Sequence, residues 1–179
     1  MPYGKEIKAE DFEAAALPHL KDLYRTAARL TANRTEAEDL VQETYMQAWK
    51  SFHKFQIGTN CRAWLFKILL NKIRHQRSKW LTLVWRTREL SDVVVYEHPI
   101  SENLSDEAVL VALKKIPDCY REVVVLTDVQ EFSYKEAAFI LKIPVGTVMS
   151  RLSRGRKLLR TELGDVAADY GIGIAKVRT

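Results

Sequence analysis

Two stretches of this chain carry positive charge with no acid to balance it. Lys142 to Arg160 holds six cations (Lys142, Arg151, Arg154, Arg156, Lys157, Arg160), and Cys61 to Lys79 holds six more (Arg62, Lys67, Lys72, Arg74, Arg77, Lys79). A solvated helix ordinarily mixes charge signs, because opposite charges three or four residues apart attract and like charges repel. Like charges gathered on one segment are relieved by a polyanion, and nucleic-acid phosphate provides that relief with release of counterions. Arginine can also grip a guanine edge through two hydrogen bonds. In the earlier stretch, Trp64 and Phe66 interleave with the cations, and Trp80 and Trp85 follow. Aromatic faces over a basic groove suit single strands, because every base can stack. The plainer alternatives remain open: a generic basic surface helix, and core positions for Trp64 and Phe66.

A third polar surface has the opposite character. Glu36, Asp39, Gln42, Glu43 and Gln47 fall on one face of a periodic segment. Such a face repels DNA and suits either water or a protein partner. The remaining candidates for chemistry are sparse. No nucleophile–base pair and no glycine-rich phosphate loop is present, so no catalytic residue is expected. His19, His53, His75 and His98 have no ligand spacing with each other or with Cys61 and Cys119, so neither a metal site nor a cofactor is expected. Two distant cysteines imply no disulfide framework and fit a reducing cytoplasm. The absence of a signal peptide and of an apolar run of about 18 residues argues against secretion and membrane spanning. A net charge of +5 agrees with a polyanionic partner without requiring one.

These surfaces need helices to position them. Residues 1–11 read as a loose lead-in. Phe12, Ala16, Leu20, Leu23, Tyr24, Ala27 and Leu30 have amphipathic helical spacing, with Pro18 placing the strong start near itself. Thr35 and Glu38 have capping-box spacing for a helix whose apolar face is Ala37, Leu40, Val41, Thr44, Tyr45, Ala48, Trp49 and Phe52. Gly58–Thr59–Asn60 breaks that pattern. A helix over 61–79 follows, with Trp64, Leu65, Ile68, Leu69 and Ile73 inward. From Trp80 to about Asn103 the periodicity fails. Helices are then expected over 104–116, from Pro117 to about Val129, from a Ser133–Glu136 capping box to Leu141, and from about Val145 to Leu163, where Gly164 stops the last of them. Residues 165–179 read as a weakly ordered tail. The fold class is all-α: two small helical domains, a bundle of three to four helices and a four-helix unit, joined by a linker. The 179 residues allow such a pair, each with a thin core.

The last two helices, with a short turn at Lys142–Ile143–Pro144, form a helix-turn-helix suited to the major groove. Ala137 and Ala138 allow a close crossing, Val148, Leu152 and Leu159 point inward, and Thr147, Ser150, Arg151, Arg154, Lys157 and Arg160 point outward.

Taken in order, these segments resemble an extracytoplasmic-function (group IV) sigma factor of the sigma-70 family over about residues 12–163. Ala37–Trp49 (AEDLVQETYMQAW) is similar to region 2.2, and Gly58–Arg74 (GTNCRAWLFKILLNKIR) to regions 2.3 and 2.4. Phe132–Ala138 (FSYKEAA) and Gly146–Leu159 (GTVMSRLSRGRKLL) are similar to region 4.2. The resemblance implies a region 2 domain over residues 1–80, a linker over 81–103 that runs extended through the polymerase, and a region 4 domain over 104–179. Asp39, Leu40, Gln42, Glu43 and Thr44 would dock on the clamp coiled coil of the β′ subunit of core RNA polymerase, and the β flap is a further expected contact. The loop Ile57–Ala63, Asn60 foremost, would catch a flipped base of the −10 element, with Arg62, Lys67, Asn71 and Arg74 along the melted strand. Thr147, Ser150, Arg151, Arg154 and Lys157 would read the −35 element. An anti-sigma factor is the expected regulator, and the cytoplasm the expected location.

One departure is Lys142, where such turns often carry glycine; a left-handed lysine costs roughly 1 kcal/mol. Two other readings stay open on sequence alone. A helix-turn-helix repressor or activator with an N-terminal dimerisation domain would bind operator DNA without polymerase. A sigma mimic that sequesters an anti-sigma factor has no need of two acid-free basic helices.

Overall fold

The computed structural model describes the backbone of residues 9–31, 33–56, 58–86 and 104–169, and the side chains of 9–31, 33–56, 58–79 and 109–164. The expected lead-in up to residue 8, the linker from 87 to 103 and the tail from 170 lie outside the described residues. Among them there are eight α-helices and no strand. The chain divides into two compact units, the first built on α1 to α4 and the second on α5, α6, α8 and the larger part of α7.

In the first unit, α1 (Ala9–Ala16) and α2 (Leu20–Thr31) are joined by a tight turn over Leu17–His19. Pro18 sits in the first turn of that connection, where its missing N–H leaves no bond unmade. The continuous periodicity from Phe12 is therefore delivered as two helices, and residues 9–11, expected to be loose, are helical. α3 (Arg34–Ser51) is capped by Asn33, whose side chain accepts from the Glu36 N–H at 3.1 Å. The expected cap at Thr35 is not used: Asn is the stronger N-cap, and Glu38 instead pairs with Arg34 at 3.2 Å. α4 (Cys61–Arg86) packs on α2 and α3. It outruns the expected end at Lys79, and residues 80–86 continue the helix.

Leu23, Leu65, Phe66, Leu69 and Leu70 are fully buried in this core. Burial of such side chains contributes about 1.5–3 kcal/mol each relative to exposure. Phe12 ties α1 to the end of α3 and the turn after it by standing edge-on to Trp49 and Phe52, with ring centroids 5.1 and 5.2 Å away. Tyr45 reaches across to α1, its hydroxyl donating to the Ala16 carbonyl at 2.8 Å.

In the second unit, α5 (Leu104–Lys115) and α6 (Asp118–Val124) both pack against α8 (Val145–Asp169). Pro117 is the N-cap of α6, whose end widens into a π turn over Val125–Val129, with the Gln130 N–H donating to Val125 O at 3.0 Å. The buried Arg121 guanidinium is held by Asp118. α7 (Tyr134–Leu141) begins with the expected capping box: the Ser133 side chain accepts from the Glu136 N–H, and Glu136 accepts from the Ser133 N–H at 2.8 Å. Gly164 does not stop α8. The roughly 1 kcal/mol cost of a helical glycine is absorbed as Ala167 and Ala168 propagate the helix to Asp169.

Candidate nucleic-acid interface

α8 owes its position to two contacts behind it. Val148 and Leu152 are buried on its inner side. One turn later Gly155 brings its backbone against α6: a Cβ there would lie 2.8 Å from Val124 Cγ2 and 3.2 Å from the Tyr120 carbonyl. Ala137, fully buried, gives α7 a small inner surface. The turn between α7 and α8 is tight because Lys142 is left-handed (φ 55, ψ 45), with the Lys142 and Ile143 amides both donating to the Ala138 carbonyl. The expected departure at Lys142 is thus accommodated by adopting the conformation a glycine would take.

On this seat the outer residues fall into order. Thr147, Ser150, Arg151 and Arg154 are spaced i, i+3, i+4 and i+7, one stripe of the helix. Ser150 and Arg154 are exposed, and Thr147 and Arg151 are half-buried at its edge. Lys157, exposed, stands on the margin of the stripe. Beside it lies a shallow groove of about 540 Å³ whose lining includes Tyr134, Met149, Arg154, Arg156, Lys157 and Arg160. Arg156 was not singled out by spacing. It is clamped by Asp128, whose Oδ1 and Oδ2 accept from Nη2 at 2.7 Å and Nε at 2.9 Å. Twenty-eight residues separate the two, so no local pattern announces the pair.

The basic face of α4 is differently disposed. Lys67, Asn71 and Arg74 share a stripe, all half-buried. Arg62 is off that stripe by its spacing; it bridges to Asp22 at 3.4 Å and lies over the Phe66 ring. Lys72 pairs with Glu43 at 2.9 Å, and Arg77 donates to the Leu30 carbonyl at 2.6 Å. Asn60 uses its side-chain oxygen to cap α4, accepting from the Ala63 N–H at 2.9 Å. The turn before it is closed by the Thr59 hydroxyl donating to Gln56 O, with Gly58 at φ 93. Phe66 is fully buried and offers no stacking face, whereas Trp64 is half-exposed and stands 4.9 Å from Phe55. Burial pushes the Cys61 thiol up to about 11, so it is protonated at neutral pH and a poor nucleophile.

On α3 the expected docking residues separate into two groups. Asp39, Gln42 and Glu43 are exposed. Leu40 and Thr44 are buried, and Thr44 spends its hydroxyl on the Leu40 carbonyl at 2.7 Å. These two fall on the helix face that packs against the core. Met46, 56% exposed, joins the outer group and was not anticipated, since an apolar residue on a polar face reads as core in sequence.

Among the described residues no group of His, Cys, Asp and Glu is arranged to hold a metal ion, and no helix is long and apolar enough to cross a membrane.

With this geometry in place, comparison with known proteins defines the class. Sigma-70 region 2 matches residues 16–82, and Sigma-70, region 4 matches residues 106–159. The chain belongs to the ECF RNA polymerase sigma factors. It is 32% identical to ECF RNA polymerase sigma factor SigW of Bacillus subtilis, over 90% of this chain and 95% of that protein. It is 37% identical to EcfG of Rhodopseudomonas palustris, over 88% of this chain and 86% of that one. Among solved structures it is similar to the sigma factor RpoE from Bartonella quintana in complex with the anti-sigma factor NepR (34% identity, TM-score 0.78, 87% of this chain and 98% of that one).

Proposed function

We propose that this sigma factor binds core RNA polymerase through the outer side of α3, engages the −10 element with α4 and the turn before it, and reads the −35 element with α8, directing initiation at a specific promoter. The observation that carries the reading is the stripe of Thr147, Ser150, Arg151 and Arg154 on a helix seated firmly behind a capped α7. Asp39, Gln42 and Glu43 meet the β′ clamp coiled coil, while Leu40 and Thr44 keep α3 packed beneath them. The β flap is the second polymerase contact. Asn60, Arg62, Lys67, Asn71 and Arg74 serve the −10 element, and Lys157 holds backbone phosphate beside the −35 readers. Residues 1–80 act as the region 2 domain and 104–179 as the region 4 domain. The connecting linker is proposed as 81–103, its first residues still belonging to α4, which ends at Arg86.

This is a binding function with no catalytic residue, and it operates in the cytoplasm, where the polymerase is. Regulation by an anti-sigma factor is supported by the likeness to RpoE, which was solved bound to one. Run-off transcription with core polymerase and genomic DNA, with sequencing of the start sites, tests the whole reading. Discrete starts sharing two upstream elements are expected, and failure to bind core overturns it. A helix-turn-helix repressor would instead bind duplex without polymerase, and a sigma mimic would bind an anti-sigma factor and no promoter. Asp39→Ala should weaken core binding by about 1 kcal/mol or more if the side chain is a central contact, leaving −35 duplex binding unchanged. Equal loss of both would signal misfolding.

A further inference from the structure

Four cations surround the groove on α8, and they are not equivalent. Arg154, Lys157 and Arg160 have no acidic partner among the described residues. Arg156 has one that uses both carboxylate oxygens, in the planar fork that matches guanidinium geometry. The acid is supplied by the π turn: Asp128 lies within Val125–Val129, with the Thr127 hydroxyl 3.2 Å from its Oδ1. The pair is not buried, with the Arg156 side chain 52% exposed. Its geometry, and not exclusion of water, therefore defines it. A phosphate approaching Arg156 meets the Asp128 carboxylate as well, so the attraction of one charge is offset by the repulsion of the other.

We infer that Asp128 limits non-specific DNA binding: by occupying Arg156 it withholds one cation of α8 from the DNA backbone. The inference rests on the proposed reading of duplex DNA by α8. Backbone contacts strengthen binding to every sequence alike, whereas discrimination comes from base contacts. An additional phosphate contact would therefore raise affinity for random DNA as much as for the promoter, and would add about 0.9 to the salt slope of binding. A term shared by all sequences cancels from the difference between them, so what the intramolecular acid limits is the absolute hold on non-promoter DNA and the salt dependence of that hold.

The test measures binding of the full-length protein to a random-sequence duplex and to the promoter duplex found by run-off transcription, between 50 and 200 mM salt. Asp128→Asn should steepen the slope on random duplex by about 0.9, which is roughly 3-fold more affinity lost across that fourfold salt range. Arg156→Gln should leave the slope as in the wild type, and the double variant should restore it. Glu131→Gln adds the same unit of net charge without releasing a cation, and should leave the slope unchanged. A slope unaltered in Asp128→Asn overturns the inference, and so does a shallower slope in Arg156→Gln, which would mean that Arg156 already holds phosphate. If Asp128→Asn does not fold, as judged by circular dichroism, the Arg156→Gln arm still decides. A wild-type protein with no preference for the promoter duplex would instead remove the reading of α8 itself.

Discussion

Cys61–Lys79, within α4, and Lys142–Arg160, the turn and first part of α8, carry the same signature, six cations and no acid over nineteen residues, yet the structure uses the two sets of charges differently. On α4, Arg62 and Lys72 are bridged to Asp22 and Glu43 of neighbouring helices, and Arg77 is bonded to a helix-end carbonyl. On α8, Arg156 alone is clamped, while Arg154, Lys157 and Arg160 meet no acid among the described residues. Acid-free sequence therefore measures only the local balance of charge. Whether a cation is available to a ligand is decided by helices distant in sequence, which supply or withhold its counterion.

The comparison can be broken first at the seat of α8. Gly155→Val should destabilise the second unit by about 1–3 kcal/mol, since the added carbons meet Val124 and the Tyr120 carbonyl. Amide hydrogen exchange should then accelerate in α6 and α8 and remain unchanged in α2 and α3. Equal acceleration in both units would show that α8 is not held by that contact. Next, Arg151→Ala should weaken −35 duplex binding by about 1–3 kcal/mol and relax preference at one position, as for an arginine that grips a base. An unchanged promoter profile would remove Arg151 from the reading face. At the turn, Lys142→Gly should stabilise the second unit by roughly 0.5–1 kcal/mol, because relief of the left-handed side chain outweighs the extra freedom of glycine in the unfolded chain. A lower melting temperature would show that the lysine side chain contributes more than its backbone strain costs. The smallest effect belongs to α4: Lys72→Ala should cost no more than about 1 kcal/mol of stability, as for other exposed ion pairs, and less at high salt. A larger loss in thermal denaturation would make the Glu43 pair a structural element of the first unit.

Local signals were the legible ones. The Ser133–Glu136 capping box and the left-handed demand at Lys142 depend on residues three or four apart, and both can be found in the string of letters. The stripe at Thr147, Ser150, Arg151 and Arg154 follows from helical spacing once the buried Val148 and Leu152 fix the inner side. Where two local signals competed, the sequence was ambiguous: Asn33 and Thr35 both offer an N-cap, and the stronger one prevailed. Leu40 and Thr44 satisfied two patterns at once, the apolar face of α3 and the docking segment that the resemblance implied, and in the fold both are buried on the inner face. The reach of α4 to Arg86 and of α8 past Gly164 was hidden because helix termination sums small propensities against tertiary support. The ion pairs of Asp22, Glu43 and Asp128 were invisible, since no rule of spacing links residues about thirty or forty positions apart.

The π turn at Val125–Val129 has a consequence for the reading frame of the helix that contains it. A π turn is one residue more than an α-helix needs, so everything after it is rotated by about 100° relative to an uninterrupted helix. Deleting a single residue there would leave the composition of the unit almost untouched. It would nevertheless swing the Asp128 carboxylate to another side of the helix and leave Arg156 without its counterion. An indel of one codon would thus act as an electrostatic substitution on a helix thirty residues downstream.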